Sequence, residues 1–319
     1  MIKKITVNFI RFKASLLSNP HLTLCILILM VLRPILNLVD FFASSFISNQ
    51  RESSLKFVLI CAPPRSGSTF IYQVISQILN SIYFSNLHQL FPRLASKVFF
   101  KKINNINLKI YRNYYGYTKE LRGVNEGNSL INYWFKTNER SDIRRRFLET
   151  MNWLGNKKKL PIVIKNVGIY DRLLDLYQAV PEIIIVNVSR NPQQIIESTL
   201  KAFYDLGYFN PIPKNMQNQS FDNPSKFAVD QFINISKILE NQLKKIPNKN
   251  IINLPYEEFC KNPNFYIELI AEKLQIAPNL DLINNISLKA SQTKKVSDID
   301  SQKIKSYLSN IKKGIKVIN

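Results

Sequence analysis

Residues 56–62 read KFVLICA, and the next seven read PPRSGST. The first stretch is an apolar run of strand length without alternation, which is expected of a strand buried on both faces of a parallel sheet. The polar segment has room for one tight loop only. Residues 69–79 then carry Phe70, Val74, Ile75 and Ile78 at helical spacing, which predicts an amphipathic helix. Strand, tight polar loop and helix in direct succession make an anion site: loop amides converge, and the helix dipole adds partial positive charge. Gly67 permits close backbone approach, Ser66, Ser68 and Thr69 add hydroxyl groups, and Arg65 adds a forked cation.

The same alternation continues along the chain. Short buried runs are expected at 161–164, at 182–188 (EIIIVNV) and at 250–254, with helices over 170–179, 192–203 and 263–274. Such a pattern predicts an α/β fold of three layers, a central parallel sheet flanked by helices. The stretch 84–159 shows no clear period and is expected to be a mostly helical or irregular cap, or a wall for the substrate.

Residues 1–50 differ from the rest. Lys3, Lys4, Arg11 and Lys13 precede an apolar run, and Arg33 and Pro34 separate it from a second. A spanning helix needs about 20 predominantly apolar residues, and a charge at its centre costs roughly 2.5–3.5 kcal/mol on an insertion scale. The segment is therefore expected to lie on a membrane surface or on the body of the protein, with a poor signal anchor as the alternative. No small-residue cleavage site follows it, so cleavage as a signal peptide is not expected. Residues 51–319 are expected to form the folded domain.

The 319 residues include 44 Lys and Arg against 22 Asp and Glu, a net charge of +22. This favours an anionic partner, although a bias towards Asn, Ile and Lys also arises from an A/T-rich genome. Cys25, Cys61 and Cys260 have neither metal-ligand nor redox spacing, which suits a reducing compartment.

Which anion the loop holds depends on its details. A nucleoside-triphosphate loop reads G-x-x-x-x-G-K-[ST]. With Gly67 as the second glycine, the first glycine position falls on Ala62 and the lysine position on Ser68. A P-loop kinase or NTPase therefore remains only as an alternative. PPRSGSTF instead resembles the 5′-phosphosulfate loop of sulfotransferases that use 3′-phosphoadenosine 5′-phosphosulfate (PAPS), in a bacterial or carbohydrate-type branch with Arg in place of Lys. A second element agrees. The segment 182–192 ends in Arg190-Asn191-Pro192, and Ser198 lies eight positions after Arg190, as in the family's 3′-phosphate element. Proline suits the first turn of a helix, so Arg190 is expected at the carboxyl end of a strand, where open α/β sheets bind ligands.

The resemblance implies a P-loop-like fold and transfer of a sulfuryl group from PAPS, without a metal, to a hydroxyl or amine acceptor such as a glycan or lipid. It implies Arg65, Ser66, Gly67, Ser68, Thr69, Arg190 and Ser198 as the cofactor-binding set. Lys165, in VIKN, resembles the family's strand-end lysine beside the sulfuryl group, and YEEF at 256–259 resembles a structural segment. The family's histidine base would fall at Val167, so that route is closed. GVNEG at 123–127 resembles an acidic segment of bacterial members, making Glu126 the expected base and His88 the runner-up. Arg65 and Lys165 would neutralise developing charge. Lys294 and Lys295 would close the 3′-phosphate pocket, with a solvated basic tail as the competing reading. A non-catalytic basic binding protein is the remaining alternative, although no nucleic-acid motif is present. A cytoplasmic domain is expected, since PAPS is made in the bacterial cytosol; a Golgi type II arrangement is the alternative.

Overall fold

The computed structural model describes residues 56–90, 122–154, 160–284 and 296–316, with scattered positions between 28 and 42 and between 113 and 120. In chain order the elements are β1 (Phe57–Cys61), α1 (Ser68–Ile78), β2 (Ile82–Tyr83), α2 (Asn86–Leu90), β3 (Asn113–Tyr114), β4 (Tyr117–Thr118), α3 (Asn128–Trp134), α4 (Arg140–Trp153), β5 (Ile162–Lys165) and α5 (Leu173–Ala179). There follow β6 (Ile184–Ser189), α6 (Pro192–Leu206), α7 (Pro224–Leu243), β7 (Ile251–Pro255), α8 (Tyr256–Lys261), α9 (Pro263–Leu274), α10 (Asp281–Asn284) and α11 (Asp298–Lys316). The expected strands and helices appear within a few residues of their predicted bounds.

The chain divides into two compact units, one of Pro34–Ser189 with Ile238–Ala290, the other of Met1–Arg33, Arg190–Lys237 and Ser291–Asn319. The first holds a five-stranded sheet in the order β2-β5-β1-β6-β7, with every neighbouring pair parallel. All five residues of β1 are buried, as a central strand covered on both faces requires. Helix α1 differs from the expected one-sided pattern. Ile71, Tyr72, Gln73, Val74, Ile75, Ser76 and Ile78 are all buried, whereas Phe70 is only partly covered. One polar group on its hidden side is used twice: the Tyr72 hydroxyl donates to the Val163 carbonyl at 3.2 Å and accepts from the Phe84 amide at 2.9 Å. One tyrosine thereby ties α1 to β5 and to the end of β2. Burial pushes its own pKa upward.

The second unit has an aromatic core. Phe203 stacks on Phe209 with centroids 4.4 Å apart, and Phe227, Met216 and Ile304 are buried with them. Asn191 caps α6 by accepting from the Gln194 amide, and Pro192 occupies the first turn. The C-terminal stretch is not a solvated tail throughout. Residues 298–316 form α11, whose Ile304 is buried. Ser301 on α11 donates to Glu197 of α6 at 2.7 Å, and Asp300 accepts from Ser225 at 2.8 Å. Lys303 and Lys305 do face solvent; Lys294 and Lys295 lie outside the described residues. Among the described residues no helix is long and apolar enough to cross a membrane. At the described positions of 28–42 the chain is helical, with Ile28, Val31, Ile35, Leu38 and Phe42 exposed.

Candidate active site

The loop after β1 is built from two left-handed residues, Arg65 with φ 69° and Gly67 with φ 84°. A non-glycine residue in that region costs roughly 1–2 kcal/mol, and such strain tends to be kept where a site requires it. Gly67 is required for a second reason. A Cβ there would lie 2.4 Å from the Tyr256 ring, which packs directly against it. Tyr256 opens α8 immediately after β7, and its ring meets Phe70 edge-on at 6.2 Å. The YEEF segment is thus structural, as expected, and its structural task is to back the loop.

Gly67 is also the N-cap of α1. It offers no side-chain acceptor, and its carbonyl receives the amides of Phe70 and Ile71 at 3.0 and 3.2 Å. The earliest amides of α1 are therefore left for a ligand. Ser66 is fully buried and its Oγ has no hydrogen-bond partner. A buried hydroxyl without a partner is costly, and an anion seated on the loop would supply the missing acceptor.

Lys165 closes β5, in register with Ile60 of β1. It is 2% exposed. Its Nζ donates to Thr69 Oγ1 at 3.2 Å and, in a very short contact, to Glu126 Oε1. The structure thus brings together Lys165, Thr69 and Glu126, which the sequence separates widely. Glu126 reaches this place because its segment is pinned on both sides. Ser85 and Val124 form an antiparallel bridge, and the Asn125 amide donates to the Phe84 carbonyl at 2.8 Å. Asn125 Oδ1 accepts from the Gly127 amide at 2.9 Å, while its Nδ2 donates to Asn86 Oδ1 at 2.8 Å. Gly127 itself is left-handed, with φ 64°.

His88 lies on α2, buried. Its Nδ1 accepts from the Ser85 amide at 3.2 Å and sits 2.7 Å from Ser85 Oγ. Burial pushes its pKa down to about 4, so the ring is neutral near pH 7 and a poor proton acceptor. Arg190 and Ser198 belong to the other unit. Arg190 follows β6 and donates through Nε to Gln194 Oε1 at 3.1 Å; Ser198 is a half-buried residue two turns along α6. Three residues that sequence reasoning passed over hold the Glu126 segment, namely Asn86, Asn125 and Asn166. Asn125 and Asn166 stand inside GVNEG and VIKN, but nothing along the chain marks their side chains as anchors of that segment.

A strand-loop-helix anion cradle beside an ion pair of buried Lys165 and part-buried Glu126, on the carboxyl edge of a parallel sheet, invites comparison with known proteins. Residues 58–279 match the Sulfotransferase family, more than half of the chain. In fold the chain is similar to sulfotransferase STF9 from Mycobacterium avium, at 12% identity and a TM-score of 0.50 over 81% of this chain and 69% of that one. A sulfotransferase from Alicyclobacillus acidocaldarius matches at 11% identity and a TM-score of 0.44, covering 81% and 93%. Retinol dehydratase, solved with androsterone and the inactive cofactor PAP, matches at 15% identity and a TM-score of 0.34, covering 73% and 64%. Comparison with curated proteins finds no match. The first structural likeness is one of fold, and the match of the sequence to the family is what decides membership: this chain belongs to the sulfotransferase family, whose enzymes are PAPS-dependent.

Proposed function

We propose that the protein transfers the sulfuryl group of PAPS to an acceptor hydroxyl, with Glu126 as the base. The observation that carries this reading is the junction at α1. A cradle of uncapped amides and the buried, unpartnered Ser66 hydroxyl lies within three residues of Thr69, and Thr69 touches the same Lys165 that pairs with Glu126. These residues fit a phosphosulfate: donors for its oxygens, a cation for its leaving charge and a carboxylate for the acceptor proton.

PAPS supplies the sulfuryl group on an anionic leaving group. Glu126 takes the proton of the acceptor hydroxyl as that oxygen forms its bond to sulfur. The bond from sulfur to the bridging oxygen breaks, and its electrons stay on PAP. Lys165 and Arg65 offset the charge that develops there, in a site where water is scarce and electrostatic stabilisation is strong. Ser66, Gly67, Ser68 and Thr69 orient the 5′ side of the donor. Arg190 and Ser198 hold its 3′-phosphate, an assignment supported by their spacing on β6 and α6, with Lys294 and Lys295 as further 3′-phosphate contacts. His88, neutral and engaged with Ser85, takes second place to Glu126.

The acceptor classes that this chemistry admits are glycans, lipids and small alcohols, with amines as a further possibility for the same base. The domain is placed in the cytosol with its donor, and residues 1–50 are assigned to peripheral membrane contact or to packing on the domain; protease protection in inverted vesicles would oppose this. The direct test of function is binding and turnover. Saturating PAP should raise the Tm well above any effect of ATP, since a ligand at 100 times its Kd adds about 2.7 kcal/mol. Labelled PAPS screened over the three acceptor classes should then show sulfate transfer. Absence of any thermal shift with PAP would refute the assignment.

A further inference from the structure

Glu126 is held at both ends by two successive residues. Lys165 binds its carboxylate, and the next residue, Asn166, donates from Nδ2 to its backbone carbonyl at 2.8 Å. We propose that Asn166 is a positioning residue for the base: its amide fixes the Glu126 backbone so that the carboxylate stands beside Lys165 and Thr69. The inference rests on the reading of Glu126 as base.

Three observations carry it. First, the anchor is firm. The Asn166 main-chain amide still donates to the Ile60 carbonyl of β1 at 3.1 Å, and the side chain is 1% exposed. Second, its orientation is settled by chemistry. A peptide carbonyl only accepts, so the atom facing Glu126 O must be the NH2 group. The same Nδ2 also donates to Asn128 Oδ1 at 2.8 Å, which holds the start of α3 just past Glu126. Third, the price of this arrangement is visible: Asn166 Oδ1 is buried with no hydrogen-bond partner. A buried polar atom without a partner calls for a reason, and the two bonds donated by Nδ2 offer one. Neighbouring strand residues normally point to opposite faces. Here the chain leaves β5 after Lys165 and turns into a 3₁₀ segment at Gly168–Asp171, which lets side chains 165 and 166 serve the same residue.

The test is a double-mutant cycle in the full-length protein. Sulfate transfer from labelled PAPS is measured for wild type, Asn166→Ala, Glu126→Gln and the double variant, with PAP thermal shifts recorded on each. A misplaced reacting group costs up to about 100-fold in rate. Asn166→Ala is therefore expected to lower kcat about 10- to 100-fold while the KM for PAPS and the PAP shift stay near wild type. In the Glu126→Gln background the same change should cost less than threefold, because a residue that acts through Glu126 has nothing left to position. A merely structural role would cost similarly in both backgrounds, and that result overturns the proposal. Should Asn166→Ala fail to fold, Asn166→Asp keeps the shape but turns a carboxylate oxygen towards the Glu126 carbonyl. It should lose kcat similarly, and full activity in it would equally overturn the proposal. Wild-type protein that binds PAP but loses no activity on Glu126→Gln removes the base reading and the inference with it. Wild-type protein that neither binds PAP nor transfers sulfate removes the function itself.

Discussion

Replacing Glu126 by Gln takes away the counter-charge of an ammonium group that is almost wholly out of water. The side chains of Lys165 and Glu126 are 2% and 22% exposed, so the two ends of the pair are not equivalent. Glu126 keeps part of its contact with water. Lys165 has surrendered nearly all of its hydration. Removing one partner of a buried pair costs about 3–5 kcal/mol because a charge is left uncompensated. At roughly 2 °C per kcal/mol, the lower end for sizeable domains, the Tm of Glu126→Gln should fall by about 6–10 °C. Lys165→Met should fall much less. It deletes the buried charge, fills its volume with an apolar chain and leaves Glu126 in contact with solvent. PAP should partly rescue Glu126→Gln, since an anion on the loop again gives Lys165 a partner; its ligand-induced shift should therefore exceed that of wild type. Scanning fluorimetry of the three proteins at pH 7.5, with and without saturating PAP, reads all of these effects. Equal melting of the two variants, or a larger loss in Lys165→Met, would refute the argument that the buried ammonium governs the energetics of the pair.

Gly67→Ala should destabilise the protein and weaken PAP binding, because its φ of 84° and the Tyr256 ring at 2.4 Å both exclude a Cβ; a wild-type Tm and PAP shift would contradict this. Arg190→Ala should leave the fold intact and weaken PAP binding by about 1.5–3 kcal/mol, the range for hydrogen bonds to charged groups, as calorimetry would show; unchanged affinity would place the 3′-phosphate elsewhere. His88 makes stability depend on pH. Its folded pKa of about 4 lies below the ordinary 6.5, so the unfolded chain binds the proton more readily and stability is lost as pH falls from 6.5 towards 4, by up to about 1.4 kcal/mol per unit. Denaturant titrations of wild type and His88→Gln over this range should show a flatter profile in the variant, and parallel profiles would disprove the link to His88.

What the sequence determined by itself was local. The run at 56–62, the loop at 63–69 and the spacing of Arg190 to Ser198 were legible because strand period, helix start and loop length are set by neighbours along the chain. So was the parallel sheet, since unbroken apolar strands alternating with helices leave few other ways to bury both faces. The C-terminal helix was less plain: its lysines suggested a tail, yet Ile304 is buried and Ser301 and Asp300 make hydrogen bonds to Glu197 and Ser225. Tertiary structure alone decided the meeting of Glu126 with Lys165. It depends on the Ser85–Val124 bridge, on Tyr72 tying α1 to the end of β2, on Asn86 and Asn166 gripping backbone carbonyls far away in sequence, and on the Asn125 side chain donating to Asn86. Asparagine in such places leaves no periodic trace, because a side-chain amide that satisfies a distant backbone group depends on where the chain returns, not on its sequence neighbours. The same holds for Tyr256, whose ring makes Gly67 irreplaceable from nearly 190 residues away.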